Sequence, residues 1–134
     1  MNDDKKLVFI YNADSGLMNA VKDYFHKKRS PETYQCNLCM QTFGGISMKK
    51  DWKNYVKNLD ILAEFLHKDE FEKKYEVKDA KYPSAFLKNG SSMKLFISQG
   101  EMDAIKSLEE LKDLVGKKLY STSYLLNLSI PLKI

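Results

Sequence analysis

Hydrophobic and polar positions alternate in distinct blocks along this chain. Lys5 to Ala13, KKLVFIYNA, is a continuous apolar run rich in β-branched and aromatic residues. Such a run predicts a strand buried on both faces, as in a parallel sheet. Asp14-Ser15-Gly16 supplies helix-capping chemistry, and Leu17, Val21, Tyr24 and Phe25 follow at helical spacing until Pro31. Residues 30–47 show no period, and Gly44-Gly45 marks them as loop. Ser47 is placed to cap a second helix, whose apolar stripe is Met48, Trp52, Tyr55, Val56 and Leu59. Trp52 and Tyr55 on that stripe read as core before they read as a stacking platform.

The second half changes period. DILAEFLH, residues 60–67, alternates, with Ile61, Ala63, Phe65 and His67 on one face and Leu62 and Leu66 on the other. KDEFEKKYEV, residues 68–77, predicts a short charged helix or turn. Two strand-like runs in YPSAFLKNGSSMKLFIS flank Asn89-Gly90-Ser91-Ser92, a hairpin signal. Ser107-Leu108-Glu109-Glu110 is a capping box opening a helix with Leu108, Leu111, Leu114 and Val115 on one face, expected to end at Gly116. Residues 120–134 are expected to form an extended tail or an edge strand. The predicted order is β-α-(loop-α)-β-α-β-β-α, with a right-handed parallel unit first and an antiparallel hairpin after it.

That is the order of the thioredoxin-like fold, and Tyr82-Pro83-Ser84-Ala85-Phe86-Leu87 resembles the segment that enters the third strand of thioredoxin-like proteins. The closing hairpin and the SLEELKDLV helix resemble that family's last elements, and the likeness covers roughly residues 5–28 and 60–116. The resemblance implies a single thioredoxin-like α/β domain with a helical insertion, residues 30–59, after the first helix. It also implies a cis-proline facing the active site, a place Pro83 fills; the alternative is a trans proline that merely starts a strand. The chain departs from the family's pattern at one point. Redox-active members carry C-x-x-C directly after the first strand, where this chain has Asn12-Ala13-Asp14-Ser15-Gly16. The whole chain also resembles a group of small bacterial proteins, some loosely labelled GTPases. That label finds no support, because no G-x-x-x-x-G-K-[ST] loop is present to cradle phosphates.

Composition narrows the function. One domain of 134 residues, 43% hydrophobic and 30% charged, is an ordinary globular chain. The net charge is +4, but Arg29 is the single arginine. Lysine is a point charge and lacks the fork that reads phosphates and guanines. The lysines are also interspersed with acids, so we expect a solvated surface and no nucleic-acid partner. MNDDKKLVFI has no apolar signal-peptide core, and LYSTSYLLNLSIPL is too short and too polar to span a bilayer. The expectation is a cytoplasmic protein with no membrane contact, in which a purely structural disulfide would not persist.

The only two cysteines, Cys36 and Cys39, lie in YQCNLC with C-x-x-C spacing. Three readings stand. In the first they are a redox dithiol exchanging with a protein or small-molecule thiol or disulfide, without a cofactor. In the second the protein is a non-enzymatic binding module or adaptor, stabilised by zinc that they bind with His26 and His67, or with a second chain. Two thiolates and two imidazoles make a legitimate tetrahedral set, although this spacing matches no standard template. In the third they are inert core residues. Chain geometry bears on the choice. The helix before the second strand is roughly 18 Å long, so the connection ahead of it must climb the height of the sheet. That climb carries both sulfurs toward Asp14, Ser15 and Pro83, which are the expected substrate-binding positions. His26, Lys27, Lys28 and Arg29 are nearby cations that would lower a thiol's pKa, whereas MQTFGG after Cys39 does not read as a helix. Asp14 and Ser15 have a plain alternative as a helix cap. His67 before Lys68-Asp69-Glu70 has two readings, an acid/base couple with a carboxylate or a strand-end histidine held by its loop.

Overall fold

The computed structural model of the chain describes residues 5–13, 36–44 and 47–126. Among these residues the elements run β1 (Lys5–Tyr11), α1 (Asn37–Thr42), α2 (Lys50–Lys57), β2 (Leu62–His67), α3 (Lys68–Tyr75), β3 (Ser84–Asn89), β4 (Ser92–Ile97), α4 (Gln99–Ala104) and α5 (Leu108–Leu126). The four strands form one mixed sheet in the order β2-β1-β3-β4. β1 and β2 are parallel, with Phe9 opposite Phe65 and Tyr11 opposite His67. β3 is antiparallel to β1, with Ile10 opposite Ser84, and β4 is antiparallel to β3. The fold class is therefore α/β with a mixed four-stranded sheet.

The apolar run of β1 is buried on both faces, as its continuous pattern requires. Leu7, Phe9 and Tyr11 face a core shared with Leu38, Trp52, Ala85, Leu87, Leu111 and Val115. Phe9 meets Trp52 edge-on at 5.5 Å and stacks on Phe65 at 5.2 Å. Val8 and Ile10 face a smaller cluster with Phe71 of α3 and Tyr82. β2 lies at one edge of the sheet, which leaves Leu62 exposed. β3 and β4 are joined by Gly90-Ser91, and Gly90 takes φ 64°, the left-handed conformation that a two-residue hairpin demands.

Four local expectations need correction. The stretch after Cys39 is helical: α1 spans Asn37–Thr42, and Phe43 N–H closes it onto Cys39 O at 3.0 Å. Ser47 is not the cap of α2, which begins at Lys50; its N-cap is Lys49, which makes no side-chain capping bond. The chain there folds back instead. Lys49 N–H donates to Thr42 O at 2.7 Å, and Phe43 bridges Met48, which removes Met48 from the helix stripe. α4 was not expected; Ser98 caps it by accepting from Glu101 N–H at 3.2 Å. Finally, α5 passes through Gly116 to Leu126, so residues 120–126 are helix and not extended tail. A mid-helix glycine costs about 1 kcal/mol against alanine, and the packing of Leu111, Val115 and Leu119 outweighs that cost. The expected first helix and residues 127–134 lie outside the described residues.

Candidate functional site

The carboxyl ends of β1 and β2, the start of β3 and the end of β4 meet at one edge of the sheet. Parallel strands leave this edge to helices and loops, which is where open α/β sheets place ligands. Both cysteines are there. Asn12, one residue past the end of β1, donates its N–H to Cys36 Sγ at 3.4 Å. The pair therefore lies beside the carboxyl end of β1, whereas Asp14, Ser15 and residues 30–35 lie outside the described residues.

Cys36 and Cys39 are joined as a disulfide with Sγ–Sγ 2.14 Å and Cα–Cα 5.2 Å. Cys36 is the N-cap of α1, and its sulfur accepts from Cys39 N–H at 3.2 Å. Cysteine is not among the usual caps, and the Gly44-Gly45 signal reads as loop, so the sequence hides this helix. Asn37 fixes α1 in place. Its Nδ2 donates to Met102 O at 2.7 Å and to Ile105 O at 2.9 Å, at the C-terminal end of α4. Its Oδ1 accepts from Gln41 Nε2 at 3.3 Å. An asparagine beside a cysteine was the only sequence signal for this role, and α4 itself was unforeseen.

Tyr11 lies under α1. Its ring meets Phe43 at 5.6 Å and His67 at 5.6 Å. Its hydroxyl is buried and makes no hydrogen bond among the described residues. The neighbouring Thr42 hydroxyl already donates to Leu38 O at 2.6 Å. Burial pushes the Tyr11 phenol well above its usual pKa, so it stays protonated.

Pro83 follows a cis Tyr82-Pro83 peptide and is buried immediately before β3. Because Ser84 pairs with Ile10, Pro83 stands at the same sheet edge as Asn12 and the disulfide. Gln99 Nε2 donates to Tyr82 O at 2.9 Å, using one of that carbonyl's two lone pairs. An open groove of about 500 Å³ adjoins this contact, lined by residues 77–81, Phe86, Leu95 and the start of α4.

His67 ends β2 and does not join the cysteines. Its Nδ1 lies 2.7 Å from Glu70 Oε1, and its backbone N–H donates to the same oxygen at 2.8 Å. The backbone N–H and then the ring hold the Glu70 carboxyl below its usual range. Glu70 thus closes the first turn of α3, which accounts for the histidine's position as a held strand end. Among the described residues, no three of His, Cys, Asp and Glu converge as a metal set. His26, Asp14 and Ser15 lie outside the described residues. No described helix is long and apolar enough to cross a membrane. In comparison with known proteins, no family model, no curated protein and no solved structure matches the chain.

Proposed function

We propose that the chain is a cytosolic thiol–disulfide exchange protein of thioredoxin-like architecture, its dithiol carried by an insertion and not by the first strand-to-helix turn. The observation that carries the reading is the oxidised Cys36–Cys39 pair at the start of α1, beside the end of β1, with two backbone N–H groups on Cys36 Sγ. Such donors favour a thiolate, the form that attacks and leaves in exchange. A structural staple is the weaker explanation. A bridge closing so short a loop restricts the unfolded chain by only about 2 kcal/mol, less than a long-range bridge would. Strand order, the parallel β1–β2 pair and the cis peptide before β3 support the thioredoxin-like reading. In this scheme Pro83, at the same end of the sheet as the disulfide, presents backbone to an extended thiol or disulfide substrate.

The test compares the reduced protein with a short peptide containing YQCNLC. Each is mixed with glutathione disulfide at pH 7 and quenched in acid at intervals, and loss of thiol from the polypeptide itself is followed by mass spectrometry. The protein is expected to react roughly ten-fold faster, because the stabilised Cys36 thiolate is held beside Cys39 and closes the bridge as soon as a mixed disulfide forms. A rate equal to the peptide's would remove the exchange reading.

A further inference from the structure

We propose that the disulfide has a fixed polarity: an incoming thiolate enters at Cys39, and Cys36 is the sulfur that leaves. This inference rests on the exchange reading above and assigns each sulfur its role. Two independent features agree. The first is access. Cys36 has no exposed surface, while Cys39 keeps 6%. Attack needs an approach along the S–S axis from the side of the attacked sulfur, and of the two residues Cys39 alone keeps any exposed surface.

The second is charge. When the S–S bond breaks, its electron pair departs on the leaving sulfur. Exchange runs faster when that sulfur is the better-stabilised thiolate. Cys39 N–H at 3.2 Å and Asn12 N–H at 3.4 Å both point at Cys36 Sγ. No donor among the described residues reaches Cys39 Sγ. Among the described residues, the negative charge therefore has prepared partners on Cys36 and none on Cys39.

The step balances without any further oxidant. A thiolate RS⁻ attacks Cys39 Sγ, a new RS–Sγ bond forms, the Sγ–Sγ bond breaks, and its pair leaves on Cys36. A second thiolate attacks the R sulfur of the mixed disulfide, releasing RSSR and the Cys39 thiolate. In the opposite direction the Cys39 thiolate attacks a substrate disulfide. The Cys36 thiolate then attacks Cys39 Sγ, reforms the bridge and expels the substrate thiolate. Asn12 is a positioning residue here, since its N–H acts on the reacting sulfur from outside the dithiol.

Two measurements on the full chain test the assignment. Oxidised protein is mixed with glutathione, quenched in acid and mapped by mass spectrometry. The expected product carries glutathione on Cys39 and a free thiol at Cys36. Separately, the Cys36→Ser and Cys39→Ser proteins are reduced and mixed with glutathione disulfide. The protein retaining Cys39 is expected to react about ten-fold faster than the one retaining Cys36. Glutathione found on Cys36, an even distribution, or faster reaction of the protein retaining Cys36 would overturn the polarity while leaving exchange intact. Rates no faster than the short peptide's for both proteins, with no mixed disulfide in the wild type, would overturn exchange and polarity together.

Discussion

Asn37 is the residue through which the dithiol helix is tied to the rest of the molecule, and its substitution gives a sharp test of that tie. Both protons of its amide are committed, to Met102 O at 2.7 Å and to Ile105 O at 2.9 Å. These carbonyls lie at the end of α4, where intrahelical donors run out. Asn37→Ala removes two hydrogen bonds, each with a net worth of about 0.5–1.5 kcal/mol, and leaves two acceptors short of partners. The contacts are only partly buried, so water recovers some of the loss. The expected destabilisation is ~1–3 kcal/mol.

Asn37→Asp separates a directional tie from simple packing. It preserves the shape but turns a carboxylate oxygen toward two carbonyl oxygens. The loss at pH 7 should exceed that of the alanine protein by about 1 kcal/mol or more, because an acceptor now faces acceptors. The pH dependence has a definite sign. The folded protein disfavours the charged form, so the aspartate's folded pKa rises above its unfolded value of about 3.9. The penalty is therefore full above the raised folded pKa and shrinks as pH falls toward 3.9, where the neutral acid regains one O–H donor. Urea unfolding of the oxidised proteins, followed by circular dichroism at pH 7 and pH 4, reads all three quantities. An Asn37→Ala protein within about 0.5 kcal/mol of wild type would refute the tie. So would an Asn37→Asp protein no weaker than Asn37→Ala at pH 7.

Two further substitutions follow from the same kind of bookkeeping. Burial would raise the Glu64 pKa, but hydrogen bonds from Lys74, Tyr75 and Lys6 outweigh it and hold the carboxyl at about 2 against the usual 4.5. At about 1.4 kcal/mol per unit, discounted for screening at a partly exposed site, Glu64→Gln should lose ~1–2 kcal/mol at pH 7. The folded pKa is the lower one, so this stability is present above pH 4.5 and fades toward pH 2; urea midpoints that differ equally across that window would refute the account. Tyr11→Phe removes a buried hydroxyl with no described partner, and thermal unfolding should show it neutral or slightly stabilising. A loss above about 1 kcal/mol would mean that the hydroxyl is satisfied.

What the sequence made legible divides along a physical line. Periodic burial was readable: the unbroken run of β1, the alternation of Ile61, Ala63 and Phe65, and the Asn89-Gly90 turn each respond to one local constraint. The Ser107 capping box was readable as well, and Ser107 Oγ does accept from Glu110 N–H at 3.1 Å. Of the expected site, only the placing of Cys36 beside the end of β1 and of Pro83 just before β3 can be read among the described residues. The site's chemistry was not legible. α1 is one and a half turns long, too short for propensity to specify it. It stands because Asn37 binds carbonyls 65 and 68 residues away, because Leu38 and Thr42 are buried, and because the turn after it closes through Lys49 N–H onto Thr42 O. Gly116 failed as a stop for the same reason: Leu119 beyond it is buried in the core. Where tertiary contacts decide a helix, the residues that make those contacts are separated from it in sequence, and no local pattern can show them. The polarity of the disulfide belongs to this second class. It depends on Asn12 N–H, 24 residues before the sulfur it touches, so the roles of two cysteines three residues apart are set by where a distant strand ends.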